Sequence, residues 1–102
     1  MTMAVRLIEP GGTLDAASGQ GLRSEVIQAI AAGSPSIVID MKGVAFMDSS
    51  GFGALVMALK KAREAGCRLV LQDLNPQVRL VLELTGTDRV FEIVTNGPQA
   101  AR

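Results

Sequence analysis

The chain has 102 residues, 48% of them apolar, and its ten basic and ten acidic side chains cancel to a formal net charge of zero. That length and apolar content fit one folded domain over residues 1–102 and exclude a disordered chain. The balanced charge leaves no global field to attract nucleic acid, an anionic membrane or a highly charged substrate. Without Trp or Tyr, the chain also lacks the aromatic platforms on which single-stranded nucleic acids stack.

Taken in chain order, Val5, Leu7 and Ile8 predict a short strand stopped by Pro10-Gly11-Gly12, with Thr13-Leu14 extending it past the break. Asp15 or Ser18 can cap the helix that follows, whose apolar face is Leu22, Val26, Ala29 and Ile30. Gly33 and Pro35 end that helix, and Ile37-Val38-Ile39 is a β-branched run of the buried-strand type. After Phe46-Met47 and a polar junction, a second helix runs to about Ala65, with Phe52, Leu55, Val56, Leu59 and Ala62 on its apolar face. Gly66 ends it, and Leu69-Val70-Leu71 forms a further short buried strand. Asn75-Pro76 starts a third helix, since a capping residue precedes a proline at the first helical position. Its shared face is Val78, Val81, Leu82 and Thr85, and Gly86 stops it. Asp88-Arg89 reads as a turn, and Phe91, Ile93 and Val94 read as a last strand. The resulting βαβαβαβ order predicts an α/β domain with mostly parallel neighbours and right-handed connections.

Cys67 is the only cysteine, which rules out an internal disulfide and fits a reducing, cytoplasmic setting. It heads a strand and reads as core rather than as a reactive thiol. The opening MTMAVRLIEPGG has no basic segment followed by a long apolar one, so a signal peptide is not expected. No apolar run approaches the roughly 20 residues that span a bilayer, so membrane insertion is not expected either.

Catalysis within the chain is not supported by its residues. There is no histidine to serve as a base for a serine nucleophile, and one cysteine without histidine cannot build a zinc site. Lys60 and Lys61 lie about three helical turns from Ser49, too far for a local Ser-Lys pair. GFGALV resembles part of a dinucleotide fingerprint, but Val56 stands where its third glycine would be. No catalytic residue, cofactor or metal ligand is assigned.

The junction FMDSSGFGALV, Phe46 to Val56, is the most informative stretch. One cap is enough to start a helix, yet Asp48, Ser49 and Ser50 all precede two glycines, Gly51 and Gly53. Capping is worth about 1 kcal/mol. It does not explain the glycines, each of which costs up to about 1 kcal/mol relative to alanine inside a helix. Glycines in that place imply close approach by another backbone. The helix N-terminus also supplies unpaired N–H groups that stabilise an anion, so a covalent phosphate on a serine there would be well received.

Residues Ile37 to Ile93, which carry FMDSSGFG and then LNPQVRLVLELTG, resemble the STAS domain of bacterial anti-sigma factor antagonists. GGTLD, Gly11 to Asp15, extends the likeness over most of the chain. The resemblance implies a small mixed β-sheet with helices mainly on one face. It implies a phosphoprotein that binds a serine-kinase anti-sigma factor when unphosphorylated and is released on phosphorylation, with a serine phosphatase reversing the change. By the same matching Ser49 is the acceptor, and Asp15, Asp48 and Ser50 form its surroundings. Gly51, Gly53, Met57 and Lys60 would face the partner. The alternative is a STAS module that is not phosphorylated and regulates another protein, such as a transporter ATPase.

Two departures from the family pattern stand out. Few residues precede Asp15, so one strand of the usual opening hairpin is expected to be missing or very short. Only NGPQAAR follows the last strand, in place of a further helix. Both leave a sheet edge open, through which a homodimer could form. Opposite the core face of the second helix, Ala54, Met57, Ala58 and Lys61 read as an adaptable stripe for a partner or as a helix flank of good propensity. Lys60, Lys61 and Arg63 read as a solvated face.

Overall fold

A computed structural model of the protein describes residues 5–95. Its elements run β1 (Arg6–Ile8), β2 (Gly12–Leu14), α1 (Ala16–Ala31), β3 (Ser36–Asp40), β4 (Val44–Met47), α2 (Ser49–Glu64) and β5 (Arg68–Gln72). They continue with α3 (Pro76–Thr85), a 3-10 turn (Thr87–Arg89) and β6 (Glu92–Val94). Four strands form one sheet in the order β1-β3-β5-β6, and β2 pairs with β4 alone. Each of these pairings is parallel, so the antiparallel part of the expected mixed sheet is absent among the described residues. The α/β class and the three helices are as expected, whereas the order βαβαβαβ is not, since β2 and β4 add two strands.

Register shows where the helices lie. Paired residues of a parallel sheet point to the same face, and Ile8, Ile39 and Leu71 form one such row, all buried. Ile37 and Leu69 share that face, and they join one core cluster with Leu22, Val26 and Ala29 of α1, Leu55 and Ala62 of α2, and Val78 and Leu82 of α3. The opposite row is Leu7, Val38 and Val70, in which Leu7 is 51% exposed. All three helices therefore feed the same face, and the other is only partly covered.

Two strand assignments differ from the sequence expectation. Thr13-Leu14 does not extend the first strand but belongs to β2, in the other sheet. Pro10 has no N–H to continue a ladder, and Gly12, at φ +69°, turns the chain so that its own N–H reaches Gly43 O at 2.9 Å. Among the described residues before Asp15 there are thus two strands of three residues each, the very short alternative of the expectation. Second, Phe46 and Met47 end a strand of their own. The turn between β3 and β4 is tied by buried Asp40, whose carboxylate accepts the Lys42 N–H at 3.0 Å and pairs with Lys42 Nζ at 3.2 Å. The question of a C-terminal helix falls on residues 96–102, outside the described ones.

Asn75 Oδ1 caps α3 through the Val78 N–H at 2.9 Å, Pro76 follows it, and Gly86 in the left-handed region ends the helix. Cys67 is buried at the head of β5, where its Sγ donates to Ser34 O and burial pushes the thiol pKa up. That is a packing residue, as expected.

Candidate functional site

Strands β2 and β4 lie side by side in parallel, with Leu14 opposite Met47. The next residue of each strand is an aspartate that caps a helix, Asp15 for α1 and Asp48 for α2. Two helix N-termini therefore start from adjacent strand ends, and this brings Asp15 beside the DSS junction. Asp48 Oδ1 accepts the Gly51 N–H at 2.8 Å, while the Asp48 N–H crosses to Leu14 O at 3.1 Å. Asp15 and Ser18 form a reciprocal box, Ser18 N–H to Asp15 Oδ1 at 3.1 Å and Asp15 N–H to Ser18 Oγ at 2.9 Å. Both residues named as candidate caps of α1 thus share the work.

Ser49 is the first residue of α2 and Ser50 the second, and both are exposed. Among the described residues neither hydroxyl makes a hydrogen bond. The N–H groups of Gly51 and Phe52 go to the Asp48 side chain and carbonyl, whereas those of Ser49 and Ser50 make no bond within residues 5–95. Two unengaged hydroxyls and two free donors therefore share one exposed helix turn.

The flanking residues divide by their angle around α2. At about 100° per residue, Gly53, Met57 and Lys60 fall within about 80° of Ser49, whereas Gly51 lies about 160° away. Gly51 is buried, and a Cβ built on it would lie 1.9 Å from Leu14 O. Its assignment to a partner surface is thereby corrected: the backbone it lets approach is that of β2. Gly53 is the reverse case, since a Cβ there would meet nothing within 4 Å. Met57 is half-buried and Lys60 exposed.

The outer stripe also needs correction. Ala54 and Ala58 are 8% and 1% exposed, because α1 packs against that flank of α2. A Cβ on Gly19 of α1 would stand 2.7 Å from the Ala54 Cβ, so the two helices meet through small residues. Met57 and Lys61 remain accessible. Beside them an open groove of about 400 Å³ is lined by Gln20 and Arg23 of α1 and by Ser50, Gly53, Ala54 and Met57 of α2. Gln20 and Arg23 escaped the sequence reading, because one polar residue on a helix face looks like another until its neighbour is known. The charges near the far end are solvated as expected, although Arg63 also donates to Val90 O at 3.0 Å.

Helix α3 reaches the same junction from the other side. Gln77 accepts the Met47 N–H at 2.9 Å and donates to Met47 O at 3.1 Å, and Asn75 Nδ2 donates to Val44 O at 2.6 Å and Ala45 O at 2.9 Å. The Ser18 N–H and hydroxyl that bind Asp15 hold its carboxyl below the usual range. A lowered folded pKa stabilises the fold above the unfolded value and loses that contribution as pH falls through the folded one. Asp15→Asn is therefore expected to melt below wild type at neutral pH, with the gap closing once the pH falls below about 4. Parallel thermal melts across that range check it; a gap independent of pH would contradict the charge argument.

Among the described residues no helix is long and apolar enough to cross a membrane. The family model for the STAS domain matches residues 2–100. An anti-sigma F factor antagonist of Paenibacillus polymyxa is 29% identical over 93 residues, which cover 90% of this chain and 80% of that protein. The structure of the anti-sigma factor antagonist SpoIIAA in its unphosphorylated form aligns with a TM-score of 0.66 at 26% identity, covering 88% of this chain and 92% of that one. An anti-sigma factor antagonist from Mycobacterium paratuberculosis aligns at 0.72 with 26% identity, covering 93% and 80%. With a cap-serine junction on α2 and a family match across nearly its whole length, the chain belongs to the STAS domain family.

Proposed function

We propose that this STAS domain is an anti-sigma factor antagonist, a non-enzymatic partner switch whose phosphoacceptor is Ser49. The observation that carries the proposal is the exposed, unengaged Ser49 hydroxyl at the first position of α2, beside two free backbone donors. In support, the relatives that span most of the chain are named for that role. Unphosphorylated protein would bind a serine-kinase anti-sigma factor over Ser49, Gly53, Met57 and Lys60. Phosphate on Ser49 would release it, and a serine phosphatase would restore binding. Asp48 holds the turn that presents the acceptor, and Asp15 supports the neighbouring strand end.

Phosphopeptide mapping of the protein expressed in its own host tests this. Phosphate is expected on Ser49, absent in Ser49→Ala and retained in Ser50→Ala. Phosphate on Ser50 alone reverses the assignment. No phosphate under any growth condition favours a plain STAS binding module, such as a regulator of a transporter ATPase.

Self-association is a second part of the proposal. Edge strand β1 carries Leu7, 51% exposed, and is preceded by Val5, 55% exposed. An edge with unpaired backbone groups and apolar side chains favours pairing with a second copy. A dimer by sedimentation that becomes a monomer in Leu7→Lys is the expected result. A wild-type monomer at every concentration overturns it.

A further inference from the structure

We propose that Gln77 is a positioning residue for Ser49, one that locks the switch turn to α3; the inference rests on Ser49 being the phosphoacceptor. The ground is a hydrogen-bond pattern rather than packing. Peptide groups along a strand alternate in direction, so the N–H of Asp48 points to β2 and binds Leu14 O at 3.1 Å. The N–H and C=O of Met47 point the other way, where among the described residues no strand lies alongside β4. Both are taken by one side chain, the Gln77 carboxamide, at 2.9 and 3.1 Å. A carboxamide presents its oxygen and one of its two N–H bonds along the same edge, as a single residue of a paired strand presents its N–H and C=O, so Gln77 stands in for a third strand. Upstream, Asn75 Nδ2 donates to Val44 O and Ala45 O while its Oδ1 caps α3.

The consequence concerns precision. Strand β4 has four residues, and without Gln77 its last residues would be held by β2 alone, across a register irregularity near Thr13. With Gln77 in place, the chain is pinned on one edge at Met47 and on the other at Asp48, immediately before the acceptor. Phosphoryl transfer requires the hydroxyl in line with the donor, and a misplacement of about 1 Å can cost about a hundredfold. Released from Gln77, Met47 and Ser49 would sample positions in which the hydroxyl no longer meets the kinase correctly. The clasp also makes α3 and the switch turn one body.

The test uses the full chain as wild type, Gln77→Ala and Gln77→Glu, incubated with ATP and soluble extract of the native host. Initial Ser49 phosphorylation is read by phosphopeptide mass spectrometry well below each melting temperature. Gln77→Ala is expected to slow it roughly tenfold or more. Amide hydrogen exchange at Met47 should rise while exchange at Leu71 in the central strand stays unchanged. Gln77→Glu keeps the acceptor for Met47 N–H but loses the donor to Met47 O. Its deficit relative to wild type should shrink as the pH falls toward about 4.3, where a glutamate carboxyl gains a proton. A merely structural role would lower the melting temperature and leave the rate of folded protein unchanged, and a folded Gln77→Ala with the wild-type rate overturns the proposal. Should Gln77→Ala not fold, a wild-type rate in Gln77→Glu at neutral pH overturns it equally. Wild type without phosphate on Ser49 overturns the switch itself. Unchanged Met47 exchange in Gln77→Ala overturns the clasp alone.

Discussion

Gly51→Ala is expected to destabilise the domain by about 3 kcal/mol, at the upper end of what overpacking usually costs. The added Cβ would stand 1.9 Å from Leu14 O and 2.5 Å from Leu14 C. Neither atom can yield easily, because Leu14 O already accepts the Asp48 N–H and Leu14 is wholly buried. In a domain of this size such a loss lowers the melting temperature by roughly 12–24 °C. Thermal denaturation checks it, and a shift of only a degree or two would mean that α2 can slide off β2 without penalty. Two residues on, Gly53→Ala should do the opposite. With nothing within 4 Å of the new Cβ, only helix propensity changes, which favours alanine by up to about 1 kcal/mol. Gly53→Arg should then keep the fold and abolish binding to the partner, since the long side chain would enter the groove beside Ser50 and Met57. Titration of the folded variant against partner co-purified with wild type decides this. Undiminished affinity would place the interface on another face.

These two glycines also show how far the sequence could be read. That some backbone comes close to the GFG turn follows from the cost of glycine in a helix, but the partner strand is set by topology. Gly51 and Gly53 differ only by their angle around α2, and the inner direction is known once β2 is placed. The same holds for Ala54 and Ala58. A single apolar face on α2 is what a 3.6-residue period reveals, whereas α1 covers a second flank because Gly19 lets it in. The buried runs of β3 and β5 and the Asn75 cap were legible, since compact apolar runs and capping oxygens act locally, whereas Asp15 shared its candidacy with Ser18 and Asp48 with Ser49 and Ser50. Strand β4 was not legible. Its buried residues are Val44 and Met47, separated by exposed Ala45 and Phe46, a spacing without the alternation of a half-buried strand. Gln77 was invisible as well: its partner lies 30 residues away, and nothing local marks its carboxamide as belonging to the junction.

Ser49→Asp should weaken partner binding at least about tenfold, or about 1.4 kcal/mol, while leaving the fold intact. The reason lies in what each state offers the new charge. In the free protein, a phosphate on Ser49 adds about −1.5 to −2 units at the positive end of α2. The N–H groups of Ser49 and Ser50 are unoccupied there, whereas those of Gly51 and Phe52 are already bound to Asp48. The fold therefore has donors to spare for the phosphate, and melting temperatures of wild type and Ser49→Asp should nearly coincide. A bound partner changes the balance. Packed over the turn, it would strip water from the phosphate and from the Asp48 carboxylate next to it, and two adjacent anions out of water repel and lose hydration together. Ser49→Ala adds no charge and should bind as wild type does while resisting phosphorylation. A salt titration separates charge from shape. Repulsion is screened as ionic strength rises, so the deficit of Ser49→Asp should narrow in high salt, whereas a steric effect would not respond. Equal affinities for Ser49→Asp and wild type at low salt would remove charge at this serine as the basis of the switch.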